Sequence, residues 1–141
     1  RIGSTGGALH EAIHSRLPEE RFHVFLNAGH LIHLDEWVNA PAWAGSTVPL
    51  RSGMVMQADV IPSHPVYYSS RMEDGYVLAD SSLQQELAAR FPALLDRCRA
   101  RREFLRSVLG LPVADEVLPL SNLCGVVSPF VLAPQRVLSL A

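Results

Sequence analysis

Short apolar stretches separated by Gly, Pro and Ser divide the chain into a few elements. After a Gly/Ser-rich start (Gly3, Ser4, Gly6, Gly7), residues 7–16 can form a short helix that Leu17-Pro18 ends. Residues 21–29, RFHVFLNAG, are rich in Val and Phe and run into a glycine, which predicts a strand entering a turn. HLIHLDEW follows, and then a Pro/Gly/Ser loop from Asn39 to Pro49. Residues 52–62 predict a second strand and residues 71–80 a third, with SHPVYYSS connecting them.

Helical periodicity takes over beyond residue 80. Ser82 with Gln85 is a capping-box pattern that opens a helix, and Pro92 either breaks that helix or restarts it at a first-turn position. Leu94, Leu95, Cys98, Leu105, Val108 and Leu109 then form an apolar stripe up to Gly110. Four prolines (Pro112, Pro119, Pro129, Pro134) stand among apolar residues in the last thirty, so that segment needs a surface to lie on. The expected class is α+β, with antiparallel β-hairpins packed on helices, in one domain spanning residues 1–141.

Composition narrows the class of partner. With 48% hydrophobic and 18% charged residues, disorder is excluded. A net charge of −2 gives no footprint for nucleic acid or an anionic membrane. Arg97, Arg99, Arg101, Arg102 and Arg106 cluster on the predicted helix, where a solvated face is expected. Cys98 and Cys124 both lie in apolar surroundings, which predicts buried thiols and favours a reducing, cytoplasmic setting. No apolar run approaches the roughly 18–20 residues that span a bilayer, and nothing at the start resembles a signal peptide. A chain that begins at Arg1 in a Gly/Ser-rich stretch reads as the middle of a longer protein.

Two stretches carry candidate chemistry. The first, His10-Glu11-Ala12-Ile13-His14, fits H-E-x-x-H, in which two imidazoles one helical turn apart grip zinc while the glutamate aligns a water. Its context is poor for a zincin. Ser15-Arg16 follow directly, Pro18 cuts the helix short, and a third ligand would have to be Glu36 or similar. The expected role is a solvent-facing helix without metal. The second stretch is a geometric coincidence between two strands. If residues 54–61 and 71–79 pair as a hairpin centred near Val66, Asp59 lies opposite Glu73. Directly opposed Cβ atoms sit about 4.5–5.5 Å apart, where two carboxylates repel and call for a cation or a shared proton. A divalent metal held by both, with His30 approaching from the neighbouring strand, would resolve that conflict.

The order Gly29-His30, then Gly53-Met54-Val55 with Asp59, then Arg71-Met72-Glu73-Asp74 before Val77-Leu78, resembles the pita-bread metallopeptidases. These comprise methionine aminopeptidase, Xaa-Pro aminopeptidase, prolidase and creatinase, and the match covers roughly residues 24–80. The resemblance implies His30 as a metal-binding imidazole, Asp59 as a carboxylate ligand and Glu73 as a bridge between two divalent metals, manganese, cobalt or zinc. It also implies peptide hydrolysis directed to Xaa-Pro bonds, a peptide as partner, and Asp74 as a group supporting the ligands. Three departures qualify it. The glutamate of the Gly-Met-Val strand is shortened to Asp59. The second histidine, some seven residues after the first, is replaced by Trp37, which leaves His33 or His64 to steady the tetrahedral intermediate, with His33 the chosen catalytic candidate. The two N-terminal aspartates of the family have no counterpart, so the chain is expected to be the C-terminal half of the catalytic domain and inactive alone. Its half-site face is then expected to be covered by the Pro-rich tail or by another copy of the chain in a homodimer. A non-catalytic relative that binds peptides or partners is the alternative of another class.

Overall fold

The computed structural model describes residues 1–25, 28–35 and 38–140. Helix α1 spans Gly6–His14 and is capped by Thr5, whose hydroxyl accepts from the Ala8 N–H at 3.2 Å. Strands β1 (His23–Phe25) and β2 (His30–Leu31) follow, then β3 (Val55–His64), β4 (Tyr68–Ser69) and β5 (Met72–Leu78). Helices α2 (Ser81–Arg90) and α3 (Pro92–Ser107) precede a last strand, β6 (Val117–Pro119). Mixed helix and antiparallel sheet bear out the α+β class.

All strand pairs are antiparallel, and β3 is the hub of the sheet. Its one edge takes β1 near its end and β2 near its start, its other edge takes β5 and the two-residue β4, and β6 closes the far side of β5. The residues expected as one strand over 21–29 contribute only His23–Phe25, and Leu26 and Asn27 lie outside the described residues. The expected strand start at Ser52 is instead a turn, with Gly53 at φ +89°, and the connection SHPVYYSS contains β4.

Helix boundaries shift for a local reason. Asp80, not Ser82, caps α2: it leaves β5 in extended geometry, and its carboxylate accepts from the Leu83 N–H at 2.9 Å. Pro92 restarts the helix, as the first residue of α3, where its missing N–H costs nothing. On the predicted stripe Leu95, Cys98, Leu105 and Leu109 are buried, whereas Leu94 and Val108 are exposed.

Two apolar clusters meet at the end of β5. Leu50, Met56 and Leu78 pack with Leu9 of α1 and with Leu31, Met54 and Tyr76. Ala79, Leu95, Cys98 and Leu118 pack with Leu83 and Leu87 of α2. Burial pushes the Cys98 and Cys124 thiols up, so both stay protonated in the interior, as buried thiols should.

Four of the five arginines of α3 are half-buried rather than a solvated face, whereas Arg99 is exposed. Arg97 donates to the Leu120 carbonyl at 2.9 Å, Arg101 to that of Cys124 at 3.1 Å, and Arg106 to that of Val113 at 2.7 Å. Arg102 reaches the Asp115 carbonyl, and Arg106 also pairs with the Asp115 carboxylate at 2.9 Å. An irregular segment cannot satisfy its own carbonyls, so the helix supplies donors in their place. The Gly125 N–H donates to Asp74 at 2.7 Å, and a Cβ at Gly125 would meet Leu105 Cδ2 at 2.6 Å, so only glycine closes this latch. Replacing Arg101 by Met should cost about 1–2 kcal/mol and speed amide exchange at Gly125. Unchanged protection there, in hydrogen-exchange mass spectrometry, would show that the arginine does not hold the segment.

Candidate metal centre

Register places the candidate ligands. Asp59 is the Cα partner of Glu73 across β3 and β5, and His30 is the partner of Gln57 across β2 and β3. Alternation along β3 puts Gln57, Asp59 and Ile61 on one face and the fully buried Met56 on the other. His30, Gln57 and Gly75 thus form one row of the sheet, and Asp59 and Glu73 form the next. His30 reaches diagonally over Gln57 to the carboxylates, and the space over Gly75 is taken by Gln57 Oε1, Ile32 and Leu120. Gly29 sets the approach of β2, because a Cβ there would meet Leu9 Cδ2 at 2.8 Å and Ala42 Cβ at 3.1 Å.

His30 Nε2 lies 3.7 Å from Asp59 Oδ2 and 4.0 Å from Glu73 Oε1. One ligand atom from each of the three residues falls within 4.8 Å of the others, the single such group of three among the described residues. His30 and Asp59 are buried, whereas the Glu73 side chain is 53% exposed, so the site is open at Glu73. Ligands about 2.0–2.2 Å from one ion stand roughly 3.0–3.5 Å apart at ordinary coordination angles. The two distances from His30 Nε2 are thus somewhat longer than coordination requires, and the three atoms must draw together to close on an ion.

The hydrogen bonding sets the imidazole for that role. His30 Nδ1 lies 3.1 Å from the Leu31 carbonyl, which accepts and so assigns the proton to Nδ1. Nε2 then presents a lone pair to two carboxylates, an electron-rich arrangement that a divalent ion or a proton on Nε2 relieves. Asp59 carries the strain of this arrangement. Burial, and then the charge of Glu73, push its carboxyl above the usual range, against the opposing pull of His30 and Arg71.

Other sequence candidates fall elsewhere. His33 is exposed in the bend after β2 and is not among the three clustered ligands. His64 stands five residues along β3 from Asp59, roughly 17 Å at strand spacing, and its Nδ1 accepts from the Val66 N–H at 3.1 Å and the Tyr67 N–H at 3.3 Å. It organises a turn. Asp74 faces away from Glu73 and holds Gly125 rather than a ligand. Glu36 and Trp37 lie outside the described residues. The Pro-rich tail adds β6 to the edge of β5, and Leu120 sits against Gly75 on the face that carries the ligands.

In α1, His10 and His14 stack face to face with centroids 4.0 Å apart and 19° between planes. Nitrogen lone pairs lie in the ring plane, so stacked rings aim them side by side instead of at one tetrahedral centre. Neither histidine joins a group of three ligands among the described residues. Burial first, then the neighbouring His14, lowers the His10 pKa.

No family model, no curated protein and no solved structure matches the chain. Among the described residues, no helix is long and apolar enough to cross a membrane.

Two variants test this geometry. An acid whose pKa is raised by folding holds its proton to higher pH in the folded chain than in the unfolded one. Stability therefore falls as pH rises from the unfolded value through the folded one. Asp59→Asn removes this fall, so metal-free D59N should melt about 3–5 °C above the parent at pH 7, with the gain vanishing in acid. A melting point below the parent's at pH 7 would show that Asp59 is satisfied as an anion. The double variant H10A/H14A should leave bound divalent metal, read by elemental analysis, unchanged.

Proposed function

We propose that the chain carries part of the centre of a metal-dependent peptidase of the pita-bread kind, acting on Xaa-Pro peptides. The observation that carries this reading is the convergence of His30, Asp59 and Glu73, from three neighbouring strands, on one point of a single sheet face. One imidazole and two carboxylates suit manganese, cobalt or zinc. A divalent ion bound there supplies Lewis acidity and makes a coordinated water acidic.

The protein groups have separate tasks in this reading. Buried His30, its tautomer set by the Leu31 carbonyl, is a terminal ligand. Asp59, short and held beneath the surface, is the second. Glu73, exposed at the mouth, would be the bridging ligand or the acceptor of the water's proton. His33 stands off the ligand group, so its place is along the bound peptide rather than on the metal.

A dinuclear centre needs more anionic ligands than these three, and among the described residues no further His, Cys, Asp or Glu joins them. The isolated chain is therefore expected to hold at most one ion weakly and to lack turnover, and the intact protein to hold two. The second reading, a non-catalytic relative that binds peptides or partners, draws on the same shortage of ligands and on the short reach of Asp59. Calorimetric titration of the 141-residue chain with Mn²⁺ and Zn²⁺, beside an Xaa-Pro dipeptide assay, tests the proposal. Weak binding abolished by H30A, D59N and E73Q alike supports it. Sub-micromolar binding with turnover shows the site to be complete as it stands, and binding indifferent to all three variants overturns the metal centre.

A further inference from the structure

A cleft of about 530 Å³ lies where β5 hands over to α2, away from the candidate centre. Ala79, in its lining, stands six residues beyond Glu73, roughly 20 Å at strand spacing. The volume falls within the roughly 300–1,000 Å³ of small-molecule sites. Ile2, Ala79 and Ala88 supply the apolar lining. The Gln84 amide joins the walls. Its Nε2 donates to the carbonyls of Ala79 at 2.9 Å and Asp115 at 3.1 Å, and its Oε1 accepts from Arg99 at 3.2 Å. Both amide donors are thereby used, and Arg99 is held by one N–H while its other donors stay free for a ligand.

Four charged side chains line the cleft: Asp80, Arg99, Asp115 and Glu116. Two are already committed. The Asp80 carboxylate caps α2, and that of Asp115 pairs with Arg106 and Arg102. Among the described residues no acid pairs with Arg99, no cation pairs with Glu116, and the two do not pair with each other. A cation and an anion that share an apolar cleft without meeting suit a ligand that meets both, a carboxylate and an ammonium on one compact apolar body. We infer that this cleft binds a free α-amino acid as its zwitterion, with Arg99 taking the carboxylate and Glu116 the ammonium. The site is separate from the candidate metal centre and does not rest on the peptidase reading.

L-valine, N-acetyl-L-valine and L-valinamide serve as probes of both charges together, of the anion alone and of the cation alone. Binding is followed by the amide NMR signals of Ala79 and Gln85 in the metal-free 141-residue chain. Valine should bind at least about tenfold more tightly than each derivative, as expected when a charge-assisted hydrogen bond is lost. R99Q should bind valine no better than valinamide, E116Q no better than N-acetylvaline, and R99K should restore part of the loss seen in R99Q. Melting curves should stay unchanged, since Arg99 is exposed and Gln matches Glu116 in size. Valine that either derivative matches, or an R99Q or E116Q variant that binds valine as the parent does, overturns the inference. Valine binding should persist in D59N, which separates this site from the metal centre, and its loss there would also overturn the inference.

Discussion

The pairing of β3 with β5 is the constraint on which the candidate centre depends. Side chains alternate across a strand, so a slip of one residue would send Asp59 and Glu73 to opposite faces. The register is held from the other side of the sheet, where Met56 and Leu78 are buried against α1 and the segment around Leu50. Burial of that apolar face is worth on the order of 2 kcal/mol for each large side chain. It is enough to hold two like charges opposite one another that would otherwise separate.

The same logic of one element forcing another extends outward. Leu9 of α1 presses on Gly29, and that contact sets where His30 enters the sheet. On the other side, β6 covers the edge of β5, and the arginines of α3 fasten the chain beyond it. Asp74, adjacent to Glu73 but on the opposite face, ties that segment to the strand carrying this candidate ligand. The tail is thus part of the scaffold of the site, and the helix charges that look like a solvated surface are its fastenings.

Legibility differed between the parts of this structure for identifiable reasons. The hairpin register followed from spacing alone, because residues equidistant from a turn must pair, and Asp59 and Glu73 are equidistant from Val66. The α+β class and the buried thiols were equally local, set by apolar spacing, whereas at Pro92 the sequence left a break or a restart open and the structure shows the restart. The cap at Asp80 was misplaced by two residues, since both Asp80 and Ser82 carry a capping oxygen and only the exit angle of β5 chooses between them.

What the sequence by itself determined was which side chains share a strand face and which strands form a hairpin, because alternation and turn symmetry act over a few residues. Only the tertiary structure decided that His30 reaches diagonally to the carboxylates while His33, three residues on, turns outward into a cleft with Arg51. It also decided that four arginines of one helix bind backbone carbonyls of the segments beyond it, and that Arg99 binds the Gln84 amide oxygen. Those outcomes hinge on contacts between residues seven to fifty apart, whose geometry is set by packing of the whole chain and leaves no periodic trace in the sequence.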